Sequence, residues 1–188
     1  MARFFRSVLL LVFVALFYVT NACSSRSLPG AQTQSPQTKA EIKSLLPRPT
    51  GFVNDYANVF DANSKQRLES LLAKLREKAN IEFAVVTVDT TNGQPIFDYS
   101  LALAREWGVG PKDKSQGGGL LLLLAIKDRQ WRLQVSRSLE KDLPDDVCKE
   151  LGDKSVEMYH QGRYAEGIEK YVKALISRLE NVKRFSLT

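Results

Sequence analysis

Hydrophobic residues in the middle of the chain recur first at helical spacing and then in a continuous run. A helix is predicted behind Asp61, a suitable N-cap, because the apolar positions that follow it repeat every three or four residues. Residues 81–88, IEFAVVTV, are rich in β-branched side chains and almost wholly apolar, which is typical of an interior strand. The predicted apolar stripe of the helix consists of Leu68, Leu71, Leu72, Leu75 and Ala79.

A second helix and a hairpin are predicted after this strand. An Asn-Gly pair marks a turn, residues 96–107 carry a helical apolar face, and residues 119–126 form another interior strand. A right-handed parallel crossover should join the two strands. Residues 127–130 make a polar turn, and residues 131–136 then alternate between apolar and polar side chains, as in a half-exposed strand.

Two helices follow the hairpin. Pro144 suits the start of a helix that runs to about Gln161, and residues 164–178 repeat apolar positions at helical spacing. The chain therefore alternates a strand, a helix, a strand and a hairpin strand before it ends in two helices. This order predicts the α/β fold class, as a layered domain with a short mixed sheet.

The first residues have the pattern of an export signal. Two arginines precede an unbroken apolar run over residues 8–19, which is short for a membrane-spanning helix. The run leads to Ala22 and Cys23, a pair that resembles the bacterial lipobox, although Thr20 stands where leucine is usual. We predict a signal peptide over residues 1–22 and lipidation of Cys23. Ordinary cleavage after Ala22 and an uncleaved anchor are the alternatives, and each exports the rest of the chain.

Composition divides the chain into four segments. The signal peptide is followed by a flexible tether over residues 23–50, rich in Ser, Pro, Gln and Thr, then by a domain over 51–182 and a tail over 183–188. Such a tether has a root-mean-square reach of roughly 30 Å, enough to hold a domain close to a membrane. We therefore expect an exported, membrane-anchored protein on the periplasmic side or the cell surface.

The charge of the chain changes this picture little. The formal net charge is +6, and loss of the two signal arginines lowers it to about +4. No basic stripe with interleaved aromatic residues is present, which argues against nucleic acid as a partner. The mild positive balance fits weak attraction to anionic lipid headgroups.

Acidic residues from two loops are the candidate chemistry. The hairpin returns the chain to the end where it began, so the loop over residues 108–118 and the acidic segment 138–146 should lie side by side. Several converging carboxylates are what Ca²⁺ or Mg²⁺ requires. Alternatively, these acids cap helices and solvate loops, or they belong to a catalytic site. The candidate ligands are Asp113, Glu140, Asp142, Asp145 and Asp146, with Asp55 added if the segment before the first helix crosses to that end.

Other residues with chemical potential have simpler interpretations. Cys148 lies on a predicted helix among apolar residues and should be a small buried hydrophobe. His160, the only histidine, falls at a predicted helix C-terminus, and no GxSxG motif accompanies it. The glycine run over 117–119 precedes a strand, so it lacks the context of a phosphate-binding loop. We expect it to serve close backbone packing or to form a flexible lid.

Several short motifs span most of the predicted domain: FVNDYANVF (52–60), AVVTV (84–88), WGVG (107–110), GGLLL (118–122), DR (128–129) and LE (139–140). Together they resemble the motifs of the TPM domain family. The resemblance implies a Rossmann-like αβα sandwich outside the cytoplasm and associated with a membrane, as in thylakoid-lumen photosystem repair proteins and exported bacterial proteins. Some members are described as acid phosphatases or as divalent-cation binders.

This chain also departs from the family pattern. Ser136-Arg137-Ser138 stands where many members have Gly-Tyr-Gly, and Gln116 or Gly117 replaces a usual asparagine. Arg137 is bulky and cationic, which weakens the transfer of a metal site to this chain. Its guanidinium could favour an anion, or it could pair with a carboxylate of Glu140 or Asp142.

Two functions of different class follow from these observations. The favoured one is a membrane-tethered extracytoplasmic binding or assembly module that helps to maintain envelope or membrane protein complexes, with those proteins as its partners. The alternative is a divalent-metal-dependent acid phosphatase of low specificity, with Ca²⁺ or Mg²⁺ as the cofactor. The module is favoured because the sequence shows no evident nucleophile or base.

Overall fold

The computed structural model describes residues 46–111 and 117–187. The predicted signal peptide, Cys23, most of the tether and Asp113 lie outside the described residues. None of the helices within these two ranges is both long enough and apolar enough to span a bilayer.

Four strands and four helices make up the described chain. All four helices, both interior strands and the hairpin strand were predicted. The elements are β1 (Val53–Asp55), α1 (Ala62–Ala79), β2 (Ile81–Val88), α2 (Ile96–Trp107), β3 (Gly118–Ala125), β4 (Gln130–Val135), α3 (Asp145–His160) and α4 (Tyr164–Lys183).

The sheet is mixed, as predicted, with the strand order β1-β2-β3-β4. The first three strands are parallel, and β4 returns antiparallel to β3. Val85 in β2 pairs with Val53 of β1 on one side and with Leu122 of β3 on the other. The amino ends of β2 and β3 and the carboxyl end of β4 therefore lie together at one end of the strands.

Helices cover both faces of the sheet, which confirms the αβα sandwich. One face, which includes Phe83 and Leu122, packs under α1, α3 and α4, and the opposite face, which includes Val86 and Leu123, packs against α2. The strict alternation of these residues explains why β3 is apolar throughout and β2 almost throughout. A parallel strand that is buried on two faces needs hydrophobic side chains in both directions.

Strand β1 is the one element that the hydrophobic pattern did not predict. It has three residues, too few for a periodic signal. The carboxylate of Glu69 on α1 accepts hydrogen bonds from the backbone N–H of Phe52 at 3.0 Å and of Val53 at 2.8 Å. Tertiary contacts from the helix thus fix this short edge strand, and a hydrogen bond to a charged acceptor contributes about 1.5–3 kcal/mol.

Helix α4 is longer than predicted. Apolar spacing placed its end near residue 178 with Leu179 facing inward; Leu179 is buried in the core as predicted, and the helix continues to Lys183. Arg184, with a φ of 57°, adopts the left-handed conformation that ends the helix.

Candidate functional site

A surface cleft lies at the end of the sheet where β3 begins and β4 ends. The cleft has a volume of about 570 Å³ and is lined by residues 109–111, 117–119 and 136–138. We call it the amino-end cleft. The described ends of the loop before β3 meet the first residues of the segment after β4 there, where Gly118 packs against Leu139, so the predicted proximity is confirmed for these residues.

Close backbone packing explains the glycine run beside the cleft. A Cβ on Gly117, whose φ is +87°, would lie 1.9 Å from the carbonyl oxygen of Asn80. A Cβ on Gly119 would lie 2.5 Å from the carbonyl oxygen of Val109. Real Cβ atoms do not approach backbone this closely, so these positions require glycine. The prediction of close backbone packing is confirmed for both.

Glu82 ties the loop before β3 to the rest of the domain. One of its carboxylate oxygens, Oε2, accepts a hydrogen bond from the backbone N–H of Gly110 at 3.2 Å and contacts Nη1 of Arg76 at 2.7 Å. Glu82 was not among the predicted site residues. Its signal was available, because Glu82 is the one charged side chain in the otherwise apolar strand β2.

Two serine hydroxyls lie at the far wall of the cleft. The Ser136 N–H donates to the carbonyl of Gly119 at 2.9 Å, and the Gly119 N–H donates to the Ser136 hydroxyl at 2.9 Å. The hydroxyls of Ser136 and Ser138 are 3.0 Å apart. The Ser136 side chain thereby extends the pairing of β3 and β4 by one residue.

Arg137 is exposed between these two serines. One of its two predicted partners is engaged elsewhere, because the Asp142 carboxylate pairs with Nζ of Lys183 at 2.9 Å. The other, Glu140, is exposed in the turn after β4 and forms no ion pair with Arg137 in the described chain. Among residues 46–111 and 117–187, the guanidinium therefore lines the cleft without a carboxylate paired to it.

The acidic residues of the segment after β4 are spread over its outer surface. Asp145 and Asp146 are exposed in the first turn of α3, where a negative charge stabilises the helix dipole. No group of three or more His, Cys, Asp or Glu side chains in residues 46–111 and 117–187 could hold a metal ion. Asp113 lies outside these ranges, so a metal site that includes Asp113, Glu140 and Asp145 stays a prediction.

Asp55 lies at the carboxyl ends of the parallel strands, opposite the end where these acids lie. The sequence left open whether the segment before α1 crosses to the amino end, and it does not, because β1 is parallel to β2 and Asp55 ends it. Its carboxylate accepts hydrogen bonds from the backbone N–H of Val59 at 3.1 Å and of Phe60 at 3.0 Å, and from the Thr87 hydroxyl. The structure therefore does not bring Asp55 together with the other candidate ligands.

Cys148 and His160 lie where the sequence predicted them. Cys148 is buried in the core, and burial, reinforced by the charges of Asp145 and Asp146, raises the pKa of its thiol to about 11. A protonated, enclosed thiol is a poor nucleophile. His160 is the last residue of α3, as expected from its place in the sequence.

The chain belongs to the TPM domain family, whose model matches residues 53–178. Its fold is similar to the N-terminal domain of a protein from P. gingivalis, with 30% identity and a TM-score of 0.64 over 72% of this chain and 86% of the other. No curated protein is significantly similar in sequence.

Two more solved structures share the fold at lower identity. One is the N-terminal domain of a Corynebacterium glutamicum protein, with 15% identity and a TM-score of 0.51 over 70% of this chain and 86% of that one. The other is the BA42 protein of the psychrophilic bacterium Bizionia argentinensis, with 16% identity and a TM-score of 0.50 over 63% and 83%. At these identities the similarity shows the fold alone.

Proposed function

We propose that the protein is an extracytoplasmic binding module that is tethered to a membrane by its N-terminal segment and captures an extended, acidic segment of an envelope or membrane protein. The observation that carries the proposal is the chemistry of the amino-end cleft. Its lining combines glycine backbone, two serine hydroxyls and the exposed guanidinium of Arg137, and it includes no carboxylate among the described residues.

This lining suits recognition of a polypeptide. Glycines let a ligand backbone approach closely, and serine hydroxyls can donate or accept hydrogen bonds. An arginine presents a planar set of donors that matches a carboxylate with two parallel hydrogen bonds. A volume of about 570 Å³ fits a few residues of extended chain better than a folded surface.

Site-specific crosslinking tests the binding proposal. A photoreactive amino acid at Ser138, at the mouth of the cleft, should give a discrete adduct in intact cells, and mass spectrometry would identify the partner. The same group at Ser70, an exposed position on α1, is the matched control. Adducts at Ser138 that disappear with Arg137→Gln would support the proposal. Equal adducts at both positions, or none at Ser138, would contradict it.

The tether is tested separately. Full-length protein expressed in a bacterial host should incorporate labelled palmitate and sediment with membranes, and Cys23→Ser should abolish the labelling. Retention of the label in Cys23→Ser would exclude lipidation at this residue. A soluble exported product would support ordinary cleavage after Ala22 instead.

The phosphatase alternative has its own outcome in these experiments. Hydrolysis of p-nitrophenyl phosphate by the full chain that requires added Mg²⁺ or Ca²⁺ and is lost in both Asp113→Ala and Glu140→Ala would favour it over the binding module. Both variants must keep the thermal unfolding midpoint of the parent chain for this interpretation.

A further inference from the structure

A second cavity lies at the other end of the strands, where β3 ends and β4 begins. It has a volume of about 380 Å³ and opens between the β3–β4 turn and the α3–α4 turn. We call it the carboxyl-end pocket. Pockets of about 300–1,000 Å³ lined by aromatic side chains with a few polar groups are the usual form of small-molecule sites. The residues that matter here are Arg129, Trp131, Tyr159, His160 and Tyr164.

The aromatic walls of this pocket are held in place by their neighbours. Trp131 meets Tyr171 edge-to-face, with ring centroids 5.3 Å apart, and a Cβ on Gly152 would lie 2.3 Å from the Trp131 ring. Tyr159 stacks on Tyr164 with centroids 6.0 Å apart and an angle of 16° between the rings. Rigid walls reduce the entropy lost on binding and favour a flat, apolar ligand body.

The one charged side chain among the described residues that line the pocket is a cation, Arg129. Arg129 and His160 line it, and no lining residue in the described chain is acidic. Arg129 is exposed in the hairpin turn with a φ of 53°, and it forms no ion pair within the described ranges. The adjacent acid, Asp128, is occupied by hydrogen bonds from the Thr90 hydroxyl at 2.8 Å and the Thr91 N–H at 2.7 Å.

The helix ends beside the pocket add to this preference. Helix α4 begins there at Tyr164 with no side-chain cap, so its first amide groups and the positive end of its dipole favour an anion. The opposing dipole of α3 ends nearby, but its last carbonyls accept the amide hydrogens of Gln161, Gly162 and Arg163. Arg163 itself pairs with Glu166 at 2.7 Å and so neutralises the acid in the first turn of α4.

Tyr159 contributes a hydroxyl that lacks a partner. The group is buried and has no hydrogen-bond partner in the described chain. Burial raises the pKa of this phenol above its ordinary value, which keeps it protonated as a donor. Its oxygen is also closed to solvent, so Tyr159 lines the pocket through its ring and not through this hydroxyl.

From this combination of rigid aromatic walls and a cation that forms no ion pair in the described chain, we infer that the carboxyl-end pocket binds a small planar organic anion, a carboxylate on an aromatic body. Arg129 would hold the carboxylate, and Trp131, Tyr159 and Tyr164 would enclose the ring system. This site is independent of the amino-end cleft and of the proposed peptide-binding function.

Titration of the ¹⁵N-labelled full chain with indole-3-acetate, followed by amide chemical shifts, tests the inference. Saturable shifts confined to residues 124–131 and 156–164 are expected. The neutral isostere indole-3-ethanol should bind at least about tenfold more weakly, the ratio expected when a charge-assisted hydrogen bond is lost. Acetate alone should bind more weakly still, because it lacks the apolar body.

Matched variants distinguish direct contact between Arg129 and the ligand from a general effect of the protein's net charge. Arg129→Asn removes the guanidinium and keeps a residue that tolerates positive φ, so the turn should fold and affinity should fall about tenfold. Arg105→Gln removes an equal charge from the exposed surface of α2 and should leave affinity unchanged. Shifts that never saturate, that map to the amino-end cleft, or that are insensitive to Arg129→Asn would each overturn the inference.

Discussion

Gly117 and Asn80 pack backbone against backbone, so that the Asn80 carbonyl oxygen lies 1.9 Å from where a Cβ of residue 117 would stand. Asn80 ends α1 in the left-handed conformation with a φ of 52°, and its carbonyl also accepts the Gly118 N–H at 3.2 Å. The start of β3, and with it one wall of the amino-end cleft, is therefore positioned by the end of α1.

Replacing this glycine should destabilise the domain strongly. Gly117→Ala introduces both the clash with Asn80 and an unfavourable φ, and we expect a loss of at least about 2 kcal/mol in the free energy of unfolding. Gly93→Ala is the matched control, since Gly93 also has positive φ (79°) but nothing lies within 4 Å of its Cβ position. It should lose only about 1 kcal/mol. Urea unfolding measures both, and equal losses would contradict the packing argument.

Removal of the Glu82 carboxylate should loosen the cleft without unfolding the domain. Glu82→Ala deletes the acceptor for the Gly110 N–H and the partner of Arg76, which is partly exposed, so the loss of stability should be only about 1 kcal/mol. Amide hydrogen exchange should accelerate at residues 109–110 and remain unchanged in α4. Glu77→Ala, on the exposed side of α1, controls for lost charge. Uniform acceleration across the domain would show that the effect is not local.

Two of the predicted metal ligands, Asp55 and Glu140, should differ in how much they contribute to the free energy of unfolding. Asp55→Ala removes three hydrogen bonds to a carboxylate and should lower the free energy of unfolding by about 2–3 kcal/mol, whereas Asp55→Asn should lose less because it keeps one acceptor oxygen. Glu140→Ala, at an exposed turn position, should change stability by less than about 0.5 kcal/mol. Urea unfolding measures all three, and equal effects of Asp55→Ala and Glu140→Ala would contradict the assignment of Asp55 to loop structure.

Local patterns were sufficient to predict most of the fold. The continuous apolar run of β2 indicates a strand buried on both faces, and the alternation in β4 indicates a strand buried mainly on one. Both patterns involve only residues that are adjacent in the sequence. Strand β1 has no such pattern, since its place depends on pairing with β2 and on the distant Glu69 carboxylate. Because β1 was not predicted, the sequence did not determine at which end of the strands Asp55 lies.

The candidate site was predictable only in part, for a related reason. Hairpin geometry alone places the loop before β3 beside the segment after β4, so the position of the cleft followed from the sequence. The contacts that shape it do not, because they join Glu82 to Gly110 and Gly117 to Asn80 across different elements. The carboxyl-end pocket was missed because its walls come from two separate turns and the strand and helices beside them.

The thiol of Cys148 links stability to alkaline pH. Burial raises its pKa from 9.0 to about 11, so the folded chain retains the proton more strongly than the unfolded chain. Its stabilising contribution is then complete below about pH 9 and is lost as the pH rises towards 11. The urea midpoint of the parent chain should fall over this range, and Cys148→Ala should show a smaller decrease because the remaining pH dependence comes from buried tyrosines such as Tyr171, whose pKa is also raised by burial.

The same burial should control the reactivity of Cys148 at neutral pH. In a chain that carries Cys23→Ser, alkylation by iodoacetamide at pH 8 should occur no faster than opening of the fold, and sub-denaturing urea should accelerate it in parallel with unfolding. The expected protection follows because the thiolate, the reactive species, is scarce at a pKa of about 11 and the sulfur lies in the core. Alkylation at the rate of a free cysteine in the absence of urea would show that the α3 face opens independently of the rest of the domain.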